Sequence, residues 1–210
     1  MVDRSARLLE RALLFSFAIH GVAMISMALF LLPGMPGGGT LSDEQRLRYI
    51  AGHPWLWRLG WMPWGLTALS DLLIAVGLLR TSWIPKLPAA LTAAVTVAAI
   101  LPDQAGQILW MTRGIDLARA GDAAAYFAFE SRIYEWIAVW AGVLYTVGAL
   151  GWTWCFVAGG TWNRWLTAIS LVLWPLFLYV NAGPLLPRDL RPSPLFVAAG
   201  NAAGFVLLQL

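Results

Sequence analysis

The chain has 210 residues, of which 60% are hydrophobic and 12% charged, with a formal net charge of +3. Soluble domains carry about 25% charged residues, so a surface facing water throughout is excluded. The basic residues are scattered arginines and one lysine, Lys86, which gives no run for nucleic acid; the lone Cys155 excludes an intrachain disulfide.

Six hydrophobic segments follow one another, at about 11–32, 55–79, 87–112, 123–158, 163–185 and 193–210. Each approaches the ~20 residues that a helix needs to cross the hydrocarbon core. The expected fold is an all-α membrane protein: a six-transmembrane helix bundle, residues 1–210 forming a single transmembrane domain. Arg4, Arg7 and Arg11 precede the first segment, which runs on to Leu32 and so suits a spanning helix better than a signal peptide. Those arginines favour a cytoplasmic N-terminus. The opposite face collects more arginines, Arg46, Arg48, Arg58 and Arg113 among them, together with acidic neighbours.

A glycine-rich break, "PGMPGGGT", ends the first segment, and "LSDEQRLRYIAG" then reads as a short amphipathic helix in the first outer loop. Ser42 with Gln45 predicts a capping box, with Leu47, Tyr49 and Ile50 at the membrane interface. Pro54 suits the first turn of the second segment, and Asp122 is a candidate N-cap for the fourth. Short links such as "TSWIPKLP" and "AGGTWN" imply antiparallel neighbours. Most of the 13 tryptophans fit aromatic belts at the two interfaces. Trp136, Trp140 and Trp174 sit deeper, where they could line a cavity.

Polar groups inside such segments face the bundle interior and mark pairing or function. At ~1.5 Å per residue, His20 and Asp71 both lie ~13 Å from the inner interface, which predicts a structural His–Asp pair between the first two helices. The third segment holds "ILPDQAGQILWMTRG". Asp103 and Gln107 share a helix face that Trp110 continues, and Gln104 is turned toward a second neighbour. Asn181 falls at the depth of Asp103, with Asn201 somewhat deeper. Pro102 removes a backbone N–H, predicting a kink; the alternative is a break at which Asp103 caps a second half-helix. Pro175 predicts a second kink. In "FESRIYEW", Glu130 shares a face with Tyr134, and Arg132 can pair with Glu135. This cluster could meet Arg58, Asp103 and Arg113 in a polar vestibule open to the outside. Gly142, Gly148, Gly151, Gly200 and Gly204 read as close-packing sites.

The run "YIAGHPWLWRLGWMPWGLTALSDLLIAVGLL" resembles segments of uncharacterised bacterial multi-pass integral membrane proteins over roughly residues 49–112. The resemblance implies a protein of the bacterial inner membrane and carries no functional residue with it.

Three functions fit these residues. The first is binding or transport of a small solute or lipid-like molecule, with Asp103, Gln107, Asn181, Arg58, Glu130, Tyr134, Trp110 and Trp136 as ligand-binding candidates. The second is an intramembrane acid–base enzyme acting on an isoprenoid-like substrate, such as a cyclase. Burial favours the neutral form of a carboxyl, so Asp103, Asp71 or Glu135 could supply the acid. The third is an accessory subunit of a larger membrane complex. Expected partners are membrane lipids and further copies of the chain or a larger assembly, not nucleic acid. No cofactor is implied. Two histidines on different elements, His20 and His53, cannot build a multi-histidine metal site.

Overall fold

A computed structural model describes residues 4–36, 41–193, 195–197, 199 and 200. Helix α1 spans Arg4–Ser26 and continues through a π-helical turn, Met27–Leu31. Helix α2 spans Asp43–Gly52, α3 Pro54–Arg80, α4 Lys86–Ala120, α5 Ala123–Ala158 and α6 Arg164–Ala182. No strand occurs among the described residues. Five helices, α1, α3, α4, α5 and α6, are long and apolar enough to cross a membrane. The expected sixth span, 193–210, lies mostly outside the described residues, as do Asn201 and Gly204.

Local chemistry sets the helix ends where the residues foretold them. Ser42 and Gln45 form the reciprocal capping box of α2. Pro54 occupies the first turn of α3. Gly121, at φ 72°, stops α4 in the left-handed conformation that glycine adopts without strain. Asp122 then caps α5 by accepting from the Ala125 N–H at 3.0 Å. Helix α4 runs unbroken across Pro102, so Asp103 is a mid-helix residue and caps nothing. The proline ring removes one hydrogen bond, and the packed turns on either side keep helical geometry.

Consecutive spans are spatial neighbours: α1 packs on α3, α3 on α4, α4 on α5 and α5 on α6. No comparable packing joins α1 to α6. Among the described residues, the helices thus form an arc in which α1 and α6 are not packed on each other. Small residues let its members approach. A Cβ on Gly151 of α5 would come within 2.4 Å of the Thr92 hydroxyl oxygen of α4, and one on Gly106 within 2.6 Å of Ile137.

One end of the arc is closed by α2. Leu47 and Ile50 of α2 bury against Leu31, Trp57, Trp110, Ile115 and Tyr126, instead of lying along a lipid interface. Trp57, Trp61 and Trp110 form a mutual cluster with ring centroids 5.2–5.9 Å apart. These three are core residues and do not belong to a belt. Trp55, Trp154 and Trp165 are exposed, as belt residues would be.

A buried ion pair fastens this cap. Arg46 of α2 donates to Glu130 of α5 at 2.5 Å, to Asp43 at 2.7 Å and to the Gly34 carbonyl at 3.2 Å. Tyr126 donates to Glu130 at 3.2 Å, and Trp110 donates to the Tyr126 oxygen at 3.3 Å. Burial opposes the Arg46 charge. The hydrogen bond and charge of Glu130, followed by Asp43, outweigh it and hold the guanidinium above its ordinary pKa. Replacing Arg46 with Met strands Glu130 in the interior, at about 3–5 kcal/mol. Thermal unfolding in detergent should show that loss, and Glu130→Met added to it should restore much of the stability. An unchanged midpoint for Arg46→Met would show that the pair does not hold the cap.

Candidate functional site

The inside of the arc is a cavity of about 700 Å³, lined from all five long helices. On α1 the lining runs from Leu13 to Met27, and on α6 from Leu166 to Asn181. At a rise of 1.5 Å per residue, the slot is about 20 Å long. Its walls are largely aromatic and aliphatic: Phe17, Trp61, Ile74, Ile137, Trp152, Leu173, Trp174 and Phe177 all contribute. Trp61 and Trp110 close the end beneath α2.

The wall is interrupted along the α1–α6 seam. Leu13 and Phe17 of α1 line the cavity and are 39% and 58% exposed, and Ile169 of α6 lines it and is 38% exposed; Tyr134 of α5, away from this seam, lines it at 41%. No helix-to-helix packing closes the α1–α6 side among the described residues, which leaves a lateral opening between two long apolar helices.

Polar groups gather near mid-length. Asp103 of α4 accepts three hydrogen bonds: from Gln107 at 2.8 Å, from Gln104 at 3.0 Å, and from the Tyr145 hydroxyl of α5 at 3.0 Å. A carboxylate has about four acceptor positions, so Asp103 is nearly saturated. Asp71 of α3 lies within electrostatic reach of Asp103 and Tyr145. Its Oδ1 has no hydrogen-bond partner, and neither does Gln107 Oε1. Buried polar atoms are almost always paired, so these two acceptors stand out.

Asn181 of α6 also faces the cavity, but it is engaged: its amide donates to the Gly142 carbonyl at 3.2 Å and to Thr146 at 3.1 Å. Trp174 donates to Thr153 at 3.0 Å. Both bonds staple α6 to α5. His20 lines the cavity opposite these groups; its Nδ1 is held by the Ser16 carbonyl at 2.8 Å and the Ser16 hydroxyl at 3.2 Å.

No protein-family model matches the chain, and no curated protein or solved structure matches it. The site must be read from its own chemistry.

Of the residues singled out in the sequence, Asp71, Asp103, Gln107, Trp110, Tyr134, Trp174, Asn181 and His20 line this one cavity. The others lie elsewhere. Arg58 donates to the Met111 carbonyl at 3.2 Å and covers the Trp55 ring. Glu130 belongs to the α2 cap. Exposed Glu135 accepts from Trp140, and Trp136 packs against the cap cluster. The structure adds Tyr145, Trp61 and Ser170.

The two kinds of acid differ in what their loss should do. Tyr145→Phe removes one of Asp103's donors and is expected to lower stability by about 1 kcal/mol. Asp71→Asn breaks no hydrogen bond and is expected to cost less stability than Tyr145→Phe. Paired unfolding measurements in the same detergent check this; a larger loss for Asp71→Asn than for Tyr145→Phe contradicts the assignment.

Proposed function

We propose that this chain is an integral membrane protein that binds a lipid-like molecule in the cavity, admitting it sideways from the bilayer. The observation that carries this reading is the shape of the wall: a slot about 20 Å long, apolar over most of its length and interrupted at the α1–α6 seam. A long, thin, apolar volume matches an acyl or isoprenoid chain. A lateral mouth matches a molecule that is already dissolved in lipid.

The same features weigh against a polar solute. Such a solute would need a wet approach, and the α2 end is filled by Leu31, Ile50, Trp57 and Trp110, all fully buried. Arg58 and Glu130, the charged groups expected in a vestibule, are bonded elsewhere. In this reading the protein resides in the bacterial cytoplasmic membrane with its N-terminus inside, as Arg4, Arg7 and Arg11 in the first turns of α1 favour. The apolar outer faces of α1 and α6, with Leu14, Ile25, Leu171 and Val172 exposed, then meet lipid tails.

Photolabelling tests the reading. A 12-carbon alcohol carrying a diazirine near its chain end should label peptides that line the cavity, including those around Ile137, Ala149 and Leu173. Ser170, buried on the cavity wall, is the place to fill the slot. Ser170→Phe is expected to reduce that labelling roughly tenfold while leaving labelling of the outer faces unchanged. Labelling confined to outward residues such as Leu171 and Val172 would overturn the reading.

A further inference from the structure

The charges inside the cavity say what kind of lipid-like molecule it takes. This step rests on the lipid-binding reading above and narrows it. We propose that the occupant is a lipophilic primary amine, whose ammonium group donates hydrogen bonds to Asp71 and to the free oxygen of Gln107.

Three observations converge. First, Asp71 is only 7% exposed, yet its Oδ1 has no hydrogen-bond partner, and Gln107 Oε1, on the neighbouring helix, has none either. Both atoms are acceptors, so the missing partner is a donor. An unmet carboxyl at this depth is costly unless something pairs with it.

Second, the hydroxyl donors of α3 and α5 that flank these acceptors are committed. The Thr67 hydroxyl donates to the Trp64 carbonyl at 2.7 Å and Ser70 to the Thr67 carbonyl at 2.6 Å, both within α3. The Thr146 hydroxyl donates to the Gly142 carbonyl at 2.7 Å, and Tyr145 serves Asp103. The indole N–H groups of Trp61 and Trp152 on the cavity wall have no hydrogen-bond partner either, and neither bonds Asp71.

Third, two carboxyl groups line the cavity, and no lysine or arginine does among the described residues. His20 is the one basic side chain there, and its Nδ1 is tied to Ser16. A site with two acids, a spare amide oxygen and no resident cation complements a cation. The aromatic walls suit the same guest, because the faces of Trp and Tyr attract an ammonium ion.

A primary ammonium fits better than a quaternary one, since it carries three N–H donors for the bare acceptors and a quaternary ammonium carries none. Asp71 lies nine residues before Arg80, about 13 Å along α3. A simple alkylamine reaches that depth by losing the hydration of one group. A phospholipid with an ethanolamine head would have to bring a phosphate along as well.

The experiment is a head-group series at constant chain length, measured on the full chain in detergent micelles by displacement of the photolabel. Dodecylamine is expected to displace it at a concentration at least tenfold below that of dodecanol, dodecanoate or dodecyltrimethylammonium. Asp71→Asn should erase the tenfold advantage of the amine over dodecanol. Lysophosphatidylethanolamine is included to separate the two sources of a primary amine, and displacement at tenfold higher concentration than dodecylamine is expected. Equal displacement by dodecylamine and dodecanol overturns the amine assignment and leaves the lipid-binding reading standing. Displacement by none of them overturns both. The series on the parent protein needs no substitution, so it decides the matter even where Asp71→Asn fails to fold.

Discussion

A carboxyl group placed deep among apolar helices must be met by donors, and the way Asp103 is met organises the interior. Its own helix supplies Gln104 and Gln107, and α5 supplies Tyr145. The cross-helix bond from Tyr145 fixes how α5 faces α4. That orientation turns Thr146 and Ala149 toward the cavity and Gly151 toward Thr92. Asn181 then reads the α5 backbone at Gly142 and sets α6 in place. From one acid outward, four of the five cavity helices take their positions, since α3 packs on α4 in turn.

Two polar systems divide the molecule. Around Arg46 every strong group is answered: Glu130, Asp43, a backbone carbonyl, and a tyrosine behind them. Fully satisfied networks of this kind rigidify and specify, and this one locks α2 over the end of the bundle. Around Asp71 the pattern is reversed. Acceptors accumulate, the nearby hydroxyls turn to their own backbone, and a void adjoins them. The difference lies in partnership, not in the number of charges.

Much of the helical framework was legible in the residues because it is local. Capping at Ser42, Pro54 and Asp122, and the run lengths of apolar residues, depend on neighbours within four positions. The polar face of Asp103 and Gln107 was legible for the same reason, being an i,i+4 relation. What escaped was long-range. Arg46 meets Glu130 from 84 positions away, and the i,i+3 pairing available to residues inside "FESRIYEW" gave no hint of it. Tyr145 sits 42 positions from Asp103, in a run whose one other polar side chain is Thr146. Depth arithmetic assumes a uniform helix, and the π-helical turns at Trp110–Gly114 and Glu135–Ala141 break that assumption by shifting the phase of the faces beyond them. Tryptophan number alone could not tell the buried Trp57, Trp61 and Trp110 from the exposed Trp55 and Trp165.

If the chain binds a lipid-like guest as proposed, the seam between α1 and α6 also fixes where selectivity must come from. A guest that arrives from within the bilayer has already left water, and its chain has gained about 0.8 kcal/mol per methylene in doing so. Moving that chain from lipid tails into an equally apolar slot yields little more. Chain length therefore sets how much guest the membrane holds, not which guest the protein chooses. Choice falls to whatever differs between the slot and the surrounding tails: its width between facing aromatic rings, and a short band of oxygen atoms at mid-length that no hydrocarbon can offer. Every lipid in the bilayer competes for the same slot at very high concentration, so that band has to discriminate by chemistry and not by affinity for grease.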